Sequence, residues 1–161
     1  MKNIIPKTTT AVFLLLIFSA FSFCSCSASK DPATAMDYLN ALAEADFPVE
    51  NMIEKAADTE FLKYKERFVF ADSRMTQFNP DYPIGGEIQV YETKEAMKEA
   101  FTNLEELYAE APDFAMRLFS SPDELAILLL ESDMPDNEAE KYKTAFDEFS
   151  NKRTIKTKFT Q

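Results

Sequence analysis

Both cysteines of this chain lie inside one apolar run. Ala11 to Cys26 reads AVFLLLIFSAFSFCSC, behind Lys2 and Lys7 and ahead of the first acidic residue, Asp31. A positive start followed by a short apolar stretch is the pattern of an export leader, and Ala11–Phe23 is shorter than the ~20 residues of a membrane-spanning helix. The other reading, a buried core helix, does not suit a run at the extreme N-terminus that lacks any polar face. The folded part therefore begins near residue 30 and contains no cysteine, so no disulfide can help it fold. Its stability must come from its core.

The end of the leader decides how the domain is held. Phe23-Cys24-Ser25-Cys26 resembles a bacterial lipobox, in which small residues precede a cysteine that receives a diacylglyceryl group. Cys24 follows bulky Phe23 and fits poorly. Cys26 follows Ser25 and Cys24, both small, and fits. The expectation is a signal peptide over 1–25, a lipidated tether over 26–32, one domain over 33–150 and a basic, frayed tail over 151–161. Cleavage after Ala28 is the alternative, and it would release the domain as a secreted protein.

Loss of the leader leaves about 136 of the 161 residues, enough for a single domain with a real core. The chain carries a net charge of −11, and the leader removes Lys2 and Lys7 but no acid, which leaves −13. Such a field repels nucleic acid and anionic headgroups, and first of all it keeps the domain soluble. The 15 phenylalanines predict a phenylalanine-rich core, and glycine occurs only as Gly85-Gly86. Turns must accordingly rest on Asn, Asp and Pro.

Periodicity predicts the elements. A helix over about 33–45 is opened either by Asp31-Pro32 or by Thr34, which makes a capping box with Asp37, and Pro48 ends it. Residues 49–56 form a weak strand and 67–72 a clearer one, with Phe68 and Phe70 on one face. The stretch 75–84 carries Asn79-Pro80 and Tyr82-Pro83 and reads as a loop. Gly85-Gly86 marks a bulge or a close backbone crossing before the strand 87–91, whose Ile88 and Val90 face away from Glu87, Gln89 and Tyr91. A phosphate-cradling loop does not fit, because neither a G-x-x-x-x-G-K pattern nor a helix start follows.

Met97, Ala100, Phe101, Leu104, Leu107 and Tyr108 mark a helix over 93–111 with a core-facing stripe. Strands follow over 114–119 and 125–130; the second, LAILLL, is apolar on both faces and must be central, with cover on at least one side. A last helix opens near Pro135. The order predicts an α+β fold: an antiparallel sheet of about four to five strands, with about three helices packed mainly on one face.

FADSRM, then GGEIQVYETKEAMKEAF, then LAILLLESDMPDNEAEKYKTAFDEF, together with FPVEN after the first helix, resemble a family of small secreted lipoproteins of Gram-positive bacteria. The likeness covers residues 37–150. It implies a lipid anchor on the outer side of the cell membrane and an α+β fold. It brings no catalytic residue with it.

The residues themselves offer little chemistry. Without histidine, the usual general base and the triads are missing, and both cysteines lie in the leader region. Acid pairs such as Glu105-Glu106 and Asp123-Glu124 read as solvated surface rather than as a glycosidase pair. Asp133, Asp136 and Glu138 lack the D-x-D-x-D-G spacing of a calcium loop. Catalytic residues, cofactor and metal are each expected to be none.

The remaining candidates are polar residues in strands. Asp72 and Arg74, two apart, share a face; Glu87 and Tyr91 share another; Arg117 lies in mid-strand beside Phe119. They read either as cross-strand ion pairs or as an interaction face on the open side of the sheet. The expected role is a non-catalytic binding module anchored at the membrane through Cys26, with an envelope protein or glycan as partner and no nucleic acid. A small-molecule or ion-binding lipoprotein is the alternative, and a carboxylate-based hydrolase is a third.

Overall fold

The computed structural model describes residues 33–56 and 63–158. The leader, Cys26 and the tether lie outside the described residues. Helix α1 (Ala35–Glu44) is followed by strands β1 (Val49–Glu54), β2 (Glu66–Asp72) and β3 (Gly85–Val90), then helix α2 (Lys94–Glu110). One 3-10 turn (Pro112–Phe114) leads into β4 (Arg117–Ser120) and β5 (Ala126–Leu130), and helix α3 (Asp136–Lys158) closes the chain. The five strands form one antiparallel sheet in the order β1-β2-β3-β5-β4. The fold class is therefore α+β as expected. Helix α2 carries the chain from β3 to the far edge, and β5 returns between them.

Local signals explain the elements. The Thr34 hydroxyl accepts from the Asp37 amide and the Asp37 carboxylate accepts from the Thr34 amide, so the capping box is formed. Thr93 caps α2 by accepting from the Ala96 amide, without a reciprocal bond. The alternation of β3 puts Ile88 and Val90 on one face with Phe70, Leu128 and Leu130. Helices α1 and α3 cover that face with Leu39, Leu42, Tyr142 and Phe146. The opposite face, with Tyr91, Ile127 and Leu129, is covered by Met97, Ala100 and Leu104 of α2. Two helices thus lie on one side and the third on the other. Ala126–Leu130 is buried throughout because it has a layer on each side.

The double glycine is explained by close approach. The β2–β3 register runs without a break from Glu66↔Val90 to Ala71↔Gly85, so no bulge is present there. A Cβ on Gly86 would stand 2.5 Å from the Leu129 carbonyl and 2.7 Å from the Phe70 ring. Neither glycine has positive φ, and it is space rather than backbone conformation that excludes a side chain.

Three details depart from the sequence reading. The fully buried aromatics are Tyr38, Tyr91 and Tyr142 with Phe70 and Phe146, so the core is as much tyrosine as phenylalanine. Each buried hydroxyl has a partner: Tyr38 donates to Asp123, Tyr91 to Gln89 and Tyr142 to Asp72. Residues 114–116 are not strand; Pro112 starts a 3-10 turn that delays β4 to Arg117. The closing helix continues past residue 150 to Lys158, where a frayed tail was expected. No proline or glycine interrupts it. Arg153 lies 3.7 Å from the Asp37 carboxylate and stacks over Phe149, which ties this turn to α1.

Candidate functional site

The six residues expected to share an interaction face are divided among three places. Glu87 and Tyr91 point to the α2 side and are buried, at 5 % and 1 % exposure. Arg117 and Phe119 lie at the β4 edge. Asp72 and Arg74 meet α3 at the end of β2. The expectation of one open sheet face fails because α2 covers the side on which Glu87 and Tyr91 lie.

Under α2, Arg67 of β2 donates to Glu87 at 2.6 Å, Glu87 accepts also from the Gln89 amide, and Gln89 accepts from the Tyr91 hydroxyl. This chain of partners is the cross-strand reading realised, with Gln89 on the face that the alternation assigned it and Arg67 as a member the sequence did not point to. Burial, and then the Glu87 carboxylate, push the Tyr91 phenol above its ordinary value. Glu131, on the same side, has its carboxyl raised by burial and then by Asp133 and Glu87. Glu87, Gln89 and the Tyr91 hydroxyl are partnered and Arg67 is held through its Nη2, while Arg67 Nε is buried without a hydrogen bond among the described residues; the arrangement braces the sheet.

Asp72 sits at the other end of β2, 1 % exposed. Arg74 is not in the strand: the chain turns at Ser73, and the Asp72 carboxylate accepts from the Arg74 amide at 2.9 Å. The same carboxylate accepts from Arg74 Nε at 3.0 Å, from Arg74 Nη2 at 2.6 Å and from the Tyr142 hydroxyl at 3.0 Å. Burial pushes this carboxyl up. The Arg74 hydrogen bonds, joined by that of Tyr142, outweigh burial and hold it below the usual range. Arg74 Nη1 also donates to Glu138, which Lys141 and Arg74 hold below its ordinary value. The knot fastens β2 to α3 and leaves the Arg74 cation fully paired.

From this knot springs the loop 73–84. The Gln77 side chain ties its ends: its amide donates to the Ile84 carbonyl at 2.6 Å and to the Asp72 carbonyl at 3.1 Å, and its oxygen accepts from the Ile84 amide at 2.8 Å. Asn79 closes a smaller turn by accepting from the Asp81 amide. The loop also reaches β1, where the Asn51 amide donates to the Pro80 carbonyl and Lys55 stands over the Tyr82 ring. On this fixed frame Phe78 and Tyr82 are 83 % and 71 % exposed. Beside Phe78 lies a cleft of about 380 Å³ lined by Arg74, Met75, Thr76, Ile84, Asp133 and Pro135.

Arg74 is paired with two carboxylates, so the cluster offers no net positive charge to an anion. The acids weighed for calcium are divided: Asp136 pairs with Arg117, Glu138 with Arg74 and Lys141, and Asp133 lines the cleft. Among the described residues no group of three or more metal-ligating side chains is placed to hold an ion. No described helix is long and apolar enough to cross a membrane. The exposed rings had a legible signal in the Asn-Pro-Asp-Tyr-Pro loop, but the sequence could not show that they stay outside the core. No family model, curated protein or solved structure matches the chain.

Proposed function

We propose that the chain is a membrane-anchored extracytoplasmic lipoprotein whose domain is a non-catalytic binding module, with the loop 73–84 as its recognition surface. The observation that carries this reading is the exposure of Phe78 and Tyr82 on a loop whose ends are hydrogen-bonded together and to β1. Two exposed rings on a mobile loop would lose conformational freedom on binding; a loop already fixed loses less. Exposed aromatic area beside a cleft marks recognition surfaces, and the paired state of Arg74 favours a partner bound through apolar or flat faces over one bound through charge. The leader pattern up to Cys26 supports anchorage at the outer membrane surface, where the partner is an envelope glycan or protein.

The test uses the mature lipoprotein in detergent, with binding to purified wall glycan and to solubilised envelope proteins measured separately. Phe78→Ser with Tyr82→Ser is expected to leave the fold intact and weaken binding at least ~10-fold, since aromatic anchors dominate such contacts. Unchanged binding by the double variant would remove the loop from its assigned role.

A further inference from the structure

We propose that the free edge of β4 takes up an extended, positively charged segment of another protein as a sixth strand of the sheet. The loop 73–84 packs against the opposite edge, its cleft meets the rim of this one only at the 133–136 segment, and neither proposal depends on the other.

The geometry follows from register. In an antiparallel pair, alternate residues turn their backbone groups toward the neighbouring strand. The Ser121 amide donates to the Ala126 carbonyl at 2.9 Å, and Arg117 and Phe119 stand opposite Leu130 and Leu128. Residues 117, 119 and 121 therefore face β5. The amides and carbonyls of Leu118 and Ser120 face outward, and none of them has a partner among the described residues. These are the groups that an added strand would engage.

The two edges of the sheet are treated differently. Open edges invite pairing, and proteins blunt them with bulges, prolines, lysines or covering loops. The β1 edge has such devices: its register breaks between Glu50 and Ile53, Asn51 has a φ of 45°, and Asn51 and Lys55 are bonded to Pro80 and Asp81 of the covering loop. Arg117-Leu118-Phe119-Ser120 has no proline, no lysine and no register break. At its start Phe114 is 81 % exposed, an apolar anchor one turn before the edge.

Charge selects the occupant. Between Lys98 and Lys141 the chain carries 12 acidic residues and one base, Arg117. That span holds most of α2, the turn into β4, both strands and the start of α3; Glu99, Glu124 and Glu138 are paired with cations from outside it, and the remaining acids still outnumber Arg117, so the surround of the edge is net negative. Asp136, almost wholly exposed, is bridged to Arg117 at 2.7 Å, and Asp113 is exposed beside Phe114. A second copy would bring two surfaces of like sign together. A strand alternating apolar and basic residues places apolar side chains beside Leu118 and cations against the acidic rim.

The test is titration of the mature protein with a capped eight-residue peptide of alternating Val and Lys. Three comparisons accompany it. The first is a Val–Glu peptide. The second is the Val–Lys peptide with the backbone nitrogens of one edge methylated. The third is the variant Ser120→Pro, whose ring replaces an outward amide that makes no bond within the sheet. Binding of Val–Lys that falls at least ~10-fold on methylation, on Ser120→Pro and in the Val–Glu peptide is the expected result. Equal binding of the methylated peptide would show attraction by charge alone and overturn strand addition. So would failure of Val–Lys to bind, or a dimer of the protein at the working concentration that Ser120→Pro dissolves. The methylated peptide keeps the test sound even if Ser120→Pro fails to fold.

Discussion

Removal of the Asp72 carboxylate should be among the most damaging single changes to this domain. In Asp72→Ala the Tyr142 hydroxyl loses its acceptor in a position with no access to water. A buried donor left unsatisfied costs about 1–3 kcal/mol. Arg74 loses three hydrogen bonds, but its side chain is 44 % exposed and keeps Glu138, so its share is about 1 kcal/mol at most. Together these give roughly 3 kcal/mol, or a fall in Tm of about 10 °C for a domain of this size. Tyr142→Phe leaves the carboxylate its three Arg74 bonds and should lose only about 1 kcal/mol. In the double variant no unsatisfied hydroxyl remains, so its loss should be smaller than the sum of the two. Urea unfolding of the four proteins measures all of this. The sign of the pH dependence is fixed as well. The folded carboxyl lies below its unfolded value, so its contribution is present above the unfolded pKa and is lost as pH falls through the folded one. The difference between wild type and Asp72→Ala should therefore shrink in acid. A loss under about 0.5 kcal/mol at neutral pH would refute the reasoning, because no unsatisfied buried hydroxyl could then have been created.

Two further changes probe the sheet. Glu131 is raised by burial and by its acidic neighbours, so its ionised form weighs against the fold and wild-type stability declines as pH rises through the folded pKa. Glu131→Gln should raise the urea midpoint at pH 7.5 and leave it unchanged at pH values where the carboxyl is already protonated. Gly86→Ala puts a methyl 2.5 Å from the Leu129 carbonyl, and should cost about 3 kcal/mol or more, read as a lowered Tm or loss of soluble protein.

Much of this fold can be read from residue order, because its signals are local. Thr34 with Asp37 forms the expected capping box, and the alternation of Ile88 and Val90 against Glu87, Gln89 and Tyr91 survives unchanged. LAILLL already carried the clue to two helix layers: Ile127 and Leu129 need cover as much as Leu128 does, and α2 supplies it. What period alone could not give was the depth of each face. Glu87 and Gln89 look like surface residues until Arg67 and Tyr91 are seen to satisfy them. A spacing of two put Arg74 in line with Asp72, but the Asp72 side chain captures the Arg74 amide and ends the strand. The exposure of Phe78 and Tyr82 depends on Gln77 clamping Ile84 across the loop, a long-range arrangement with no local pattern to announce it.

The domain is proposed to work at a membrane surface, and the intact mass of the membrane-extracted protein tests that most directly. A chain beginning at Cys26 and heavier than its sequence by a diacylglyceryl group, with that increment absent in Cys26→Ala, is the predicted result. An unmodified chain beginning at Ser29, recovered from the medium, would contradict it.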